Sequence, residues 1–225
     1  MRTHFITLIA LVTATALAPL TTGCKNPADD KTKAIVTAPS TPTAAPAPTP
    51  APTPAPAATR KLTFSGDGSE VGFTGSKVTG SHTGGFKQFA GVIELGDKLE
   101  SGKVTLEIDV ASLFTDAEKL TGHLLSPDFF DAAKFPKATF TSMVLAPQAE
   151  NPGMFTVSGD LDLHGVKKGL QFPATITADG ANVSVRAEFV LNRKDFGIVY
   201  PGKPDDLIRD EIVIRLAIVA KPAAN

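Results

Sequence analysis

Tryptophan is absent from this 225-residue chain, and tyrosine occurs once. Carbohydrate and single-strand nucleic-acid sites usually lean on exposed, polar-tipped aromatic platforms, so both classes of ligand are disfavoured. Cysteine also occurs once, which excludes an intrachain disulfide. Neither sign of charge dominates: 22 Lys and Arg face 23 Asp and Glu, a net charge of −1. No general pull toward nucleic acid or an anionic membrane follows from that balance. The apolar run from Phe5 to Leu17, broken only by threonines, is too short for a spanning helix. Enzyme signatures are missing as well. There is no Gly-x-Ser-x-Gly elbow, phosphate loop or dinucleotide fingerprint. Gly66-Asp67-Gly68 has the wrong spacing, and the glycine-rich run Gly75 to Gly85 reads as a turn.

Arg2 and His4 before the apolar run give the start of an export signal. Ala16-Leu17-Ala18 fits ordinary signal cleavage, but Pro19 would hinder the protease. Leu20-Thr21-Thr22-Gly23-Cys24 fits a bacterial lipobox, with Thr21 where a larger aliphatic residue is usual. Lipidation of Cys24 is the simplest account of a single thiol in an exported chain. Residues 1–23 are thus read as a lipoprotein signal peptide and 24–59 as a disordered tether rich in Pro, Ala and Thr. From Pro39 to Pro56 proline recurs so often that helix and central strand are excluded. A polyproline II segment of that length spans roughly 55 Å at about 3.1 Å per residue. It serves either as a stalk on the periplasmic face of an envelope membrane or as a linker with no length requirement.

Residues 60–225 are long enough to form a real core. Their hydrophobic period is two: Val104, Leu106, Ile108 and Val110 alternate with polar residues, as do Val183, Val185, Ala187, Phe189 and Leu191. Ile212, Ile214, Leu216 and Ile218 form a third such set. Further strands are expected at 62–64, 71–74, 86–94, 138–145, 155–163 and 170–178, separated by Gly and Asp/Asn turns. One window is helical, with Leu120, Leu124 and Leu125 on one face and Thr115 or Asp116 as cap. About eight antiparallel strands with one helical excursion fit either a sandwich or a closed barrel.

Candidate chemistry is sparse. His82, His123 and His164 show no metal-ligand spacing. Asp128 and Asp131 form either a carboxylate pair or a set of turn caps. Arg193 either holds a polar head group or pairs with Asp195 or Asp210. Phenylalanine, at 14 residues, supplies nearly all of the aromatic bulk, for core packing or for lining a tunnel.

Several blocks occur in an order that resembles the YceI-like lipid/polyisoprenoid-binding family. They are Phe86-Lys87-Gln88-Phe89-Ala90-Gly91, Ile108 to Leu113, His123-Leu124-Leu125-Ser126-Pro127-Asp128-Phe129-Phe130-Asp131 through Phe140, Gly159 to Lys168, and Asn192 to Ile198. The resemblance implies an all-β, extended, eight-stranded lipocalin-like antiparallel barrel over 60–225. It also implies an apolar lipid or polyisoprenoid ligand in place of a cofactor or a catalytic set. The lumen residues it suggests are Phe86, Phe89, Leu124, Phe129, Phe130, Phe140 and Phe196, with Arg193 as head-group candidate and Cys24 as anchor. A ligand-free barrel acting as an envelope stress or interaction module is the alternative.

Overall fold

The computed structural model describes residues 25–40 and 60–223. Cys24 and the proline-rich 41–59 lie outside them. In chain order the elements are β1 (Ile35–Thr37), β2 (Arg60–Ser65), β3 (Glu70–Lys77), β4 (Gly80–Phe86), β5 (Phe89–Leu95), β6 (Lys103–Asp109) and β7 (Leu113–Thr115). The helix α1 (Glu118–Leu125) follows, then β8 (Lys137–Pro147), β9 (Met154–Leu163), β10 (Val166–Asp179) and β11 (Asn182–Asn192). A small hairpin, β12 (Gly202–Lys203) and β13 (Asp206–Leu207), precedes β14 (Glu211–Pro222).

Eight strands close a ring of antiparallel neighbours in the order β2, β5, β6, β8, β9, β10, β11, β14 and back to β2. Alternation decides which side chains enter the ring. Leu170, Phe172, Ala174 and Ile176 of β10 are buried, as are Val183, Phe189 and Leu191 of β11. The three period-two sets expected from sequence all lie on strands, except that Val110 falls just past β6 in a 3₁₀ turn. Gly91 leaves room for a neighbour's ring: a Cβ there would stand 2.0 Å from Cζ of Phe64. The β9–β10 loop is the two-residue His164-Gly165 with both φ positive, the backbone demanded by a I′ hairpin. His164 is therefore a turn residue.

Beyond the ring, β3 pairs with β14, and β4 and β7 follow it outward. This flap raises one side of the barrel's open end, and α1 packs beside β7. It corrects the reading of Gly75 to Gly85 as a turn, since Gly80–Phe86 is a strand. Its glycines and polar residues hide the pattern, and pairing on both edges imposes extended backbone. The expected cap of α1 is also corrected. Asp116 accepts instead from the Thr83 N–H at 3.0 Å and contacts His82 at 2.8 Å, and no side chain caps the helix at Ala117.

The tether reading needs a correction in its first part. β10 pairs with β11 only from Thr175 to Asp179, so the wall parts toward the open end. The segment 32–37 fills that seam. β1 pairs antiparallel with β10 at Gly169 to Gln171. On its other side Ala34 N–H donates to the Val190 carbonyl at 2.8 Å, and Val190 N–H donates to Thr32 at 2.9 Å. Pro173 sits between the two pairings of β10, where no neighbour asks it for a donor. Ala28 is buried against Val190 and Val213, and Ala34 and Val36 pack on the core. Apolar residues at alternate positions can thus complete a wall even inside a stretch that reads as a linker.

Asp160 fastens the end of this segment. It is 7% exposed and accepts from the Ser40 N–H at 3.0 Å, with Lys167 at 3.3 Å. Burial pushes its carboxyl pKa up, but the bonds from Ser40 and Lys167 outweigh that and hold it below the ordinary value. A depressed carboxylate pKa adds stability above its unfolded value near 3.9, and that stability is lost as pH falls through the lower folded value. Asp160→Asn is expected to lower the urea midpoint at pH 7 while flattening its decline below about pH 4. An unchanged midpoint and an unchanged acid limb would show that Ser40 is not held by this carboxylate.

Candidate functional site

The site grows from the chain that follows α1. His123 carbonyl accepts from Ser126 N–H at 3.1 Å, and the carbonyls of Leu124, Leu125 and Ser126 accept from the N–H groups of Phe130, Ala132 and Asp131. Every orphan acceptor named here is satisfied by the chain folding back on the helix end. Asp131, at φ 45, makes the reversal, and His123 Nε2 meets Asp128 at 2.9 Å. Asp128 therefore holds a side chain of the last helical turn, and Asp131 makes the turn. The fold-back fixes Phe129 and Phe130 side by side. Phe129 packs on Tyr200 and on the edge of His123, and Phe130 meets Phe86 edge-on at 6.1 Å.

A cavity of about 700 Å³ opens at this end of the barrel, lined by Phe73, Leu120, Leu124, Phe129, Phe130 and Ile198 among others. Lys77, Lys119, Lys203, His82 and His123 also face it. Below it lies a second space of about 160 Å³ inside the barrel, walled by Phe86, Leu106, Phe140, Phe172, Phe189 and Leu216 with other aliphatics. Phe73, Phe130, Arg193, Ile198 and Ile212 border both. A third space of about 60 Å³ lies deeper, sharing Leu106, Phe140, Phe172 and Leu216 with the second. Through these shared walls the three spaces succeed one another along the barrel, and their lining marks a path from the mouth inward.

Phe86, Leu124, Phe129, Phe130 and Phe140 of the expected lumen set lie on this path. Phe89 and Phe196 do not line it. Both belong to the packed core, Phe196 without any exposure. Sequence reasoning passed over Phe73, Ile198 and Ile212 and left Phe172 and Phe189 unselected. The last two and Ile212 were findable, because the period-two sets of their strands point them inward.

Arg193 borders mouth and lumen, but its guanidinium is engaged elsewhere. Nε donates to the Arg209 carbonyl at 3.1 Å, Nη1 to Ile198 at 2.7 Å, and Nη2 to Ile208 at 3.3 Å and to Asp210 Oδ1 at 3.2 Å. Burial pulls its pKa down and Asp210 pushes the other way. The group braces the loop from 198 to 210, and of the two readings of Arg193 the pair with Asp210 is the one present. Arg193→Lys is expected to cost roughly 3–5 kcal/mol in urea unfolding, since one ammonium cannot span these acceptors. A loss below about 0.5 kcal/mol would remove the brace.

Among the described residues, no cluster of three or more His, Asp or Glu is placed to hold a metal. His82 and His123 share the mouth, and His164 lies apart, with Nδ1 3.1 Å from the Phe196 carbonyl.

A closed antiparallel barrel with an apolar lumen defines the class as a lipocalin-like barrel. The YceI-like domain matches residues 62–220, and the chain belongs to the YceI-like family. A UPF0312 protein of Pseudomonas savastanoi pv. phaseolicola is 38% identical over 126 residues, covering 53% of this chain and 65% of that protein. The crystal structure of Burkholderia cenocepacia BcnA is similar, with TM-score 0.65, 25% identity and coverage of 70% of this chain and 99% of that one. A polyisoprenoid binding domain from Saccharophagus degradans shares the fold at TM-score 0.59 and 18% identity, over 74% of this chain and 100% of its own.

Proposed function

We propose that this protein is a binding protein, not an enzyme, which holds a polyisoprenoid or another long apolar lipid in the barrel. We further propose that it is exported and anchored to an envelope membrane through an acylated Cys24. The apolar lumen and the five residues it shares with the mouth carry the ligand reading. An apolar space of about 150 Å³ stays dry, so the lumen offers water nothing and rewards an apolar chain with up to ~0.8 kcal/mol per methylene. The polyisoprenoid-binding neighbour supports the same chemistry. The lysines and histidines at the mouth suit a polar head left outside the lumen. A ligand-free barrel in an envelope stress or interaction role is the second reading, favoured by Phe172 of β10 stacked at 4.3 Å on Phe189 of the neighbouring β11, two rings that take up room at the lumen.

Native mass spectrometry of the exported chain, followed by organic extraction, decides between them. An extractable prenyl or acyl lipid is expected. A clean apo mass that persists after incubation with prenyl quinones and fatty acids would select the ligand-free barrel. Phe130, half-buried between mouth and lumen, gives the sharper variant. Phe130→Glu is expected to cut lipid retention at least about tenfold, because a carboxylate there must be desolvated. Retention unchanged in a folded variant would contradict the path. For the anchor, intact-mass analysis of the mature protein is expected to show an N-terminus at Cys24 carrying acyl chains. An unmodified thiol there would refute it.

A further inference from the structure

We infer that the rim of the mouth is a surface that rests on a lipid bilayer, so that the tunnel opens directly onto the membrane. This extends the lipid-binding reading and relies on it for the purpose of the contact. Three large aliphatic side chains are exposed at this end: Val78 at 54%, Val199 at 61% and Leu207 at 50%. They belong together. Val78 N–H donates to the Leu207 carbonyl at 3.3 Å, and Val199 and Leu207 lie on the loop that Arg193 braces. Each is flanked by a residue of the mouth: Lys77 beside Val78, Ile198 beside Val199, and Ile208 beside Leu207. Inward neighbours line the cavity while these three point out of it. Lys119 and Lys203 stand at the same opening, and lysine stems that reach along apolar surface with a wet tip suit an interface. Two nearby carboxylates are already engaged, Asp206 by Lys77 and Thr79 and Asp116 by His82 and Thr83.

The start of the described chain names the occupant. Ser76, itself a mouth residue, donates to Asn26 Oδ1 at 3.4 Å, and Asn26 Nδ2 reaches Glu211 at 3.4 Å. The described chain therefore begins at the rim. An anchor at Cys24 would hold this end, and no other, against the membrane. The stalk reading falls on residues 41–59, outside the described residues, whose described neighbours are both held on the barrel, Ser40 by Asp160 and Arg60 by pairing with Leu95.

The test uses the single tyrosine. Tyr200 packs on Phe129 and His123 at the mouth, and no tryptophan masks its emission. The exported full chain is mixed with phosphatidylcholine vesicles whose acyl chains are brominated or plain. Tyr200 emission is expected to be quenched by the brominated vesicles only. A variant carrying Val78→Glu, Val199→Glu and Leu207→Glu keeps the same anchor and is expected to partition at least about tenfold less to the quenched state. Equal quenching of the variant, or no quenching of the parent chain, overturns the inference. Self-association without quenching also overturns it and assigns the rim to a second copy. Extraction from both proteins separates this inference from the ligand reading. Quenching without any bound lipid sinks the cargo and leaves the rim. Bound lipid without quenching does the reverse.

Discussion

Ring closure through β14 is the constraint on which everything else rests. One edge of this strand pairs with β11 along nearly its whole length. The other edge is divided, giving Val213 to Ala217 to β3 and only Lys221 and Pro222 to β2. That division closes the barrel at one end and lets the flap of β3, β4 and β7 rise at the other. An unclosed sheet would present the inward face as an apolar groove to water. Closed, the same alternation yields a lumen with no free edges. The mouth exists because the closing strand changes partners partway along.

The seam between β10 and β11 follows from the same geometry. Two strands that meet at one end and diverge toward the other leave backbone donors and acceptors unpaired in the wall, and such groups need partners. The segment 32–37 supplies them from a distant part of the chain. The wall is thus completed by residues that a division at Arg60 would discard.

Legibility in the sequence tracks how local the cause is. The strands with a wet face and a lumen face were readable, since alternation is stamped on each by its own environment. β4 and β1 were not, because their extended backbone is imposed by neighbours and not by composition. The Phe129-Phe130 pair was readable through its block of surrounding residues. Phe89 and Phe196 misled, since a phenylalanine's burial does not say whether it borders an open space or fills packed core. Arg193 was half legible: its pairing with Asp210 was one of the two readings, whereas the carbonyls of residues 198, 208 and 209 that also hold it are brought together only by the loop.

For the proposed ligand, the walls set the kind of selectivity available. The lumen is bounded by aliphatic and phenyl groups, with Arg193 at its edge already committed to protein acceptors. A wall without free donors discriminates by shape alone, and an apolar pocket separates guests differing by one methylene by only about 1–3 kcal/mol. The lumen space is only about 160 Å³, so girth is the property it rejects most firmly. Finer choice belongs to the mouth, where lysines and histidines meet a wider space. Tail width and head chemistry are therefore read by different parts of the chain, the first by the ring and the second by α1, the flap and the braced loop.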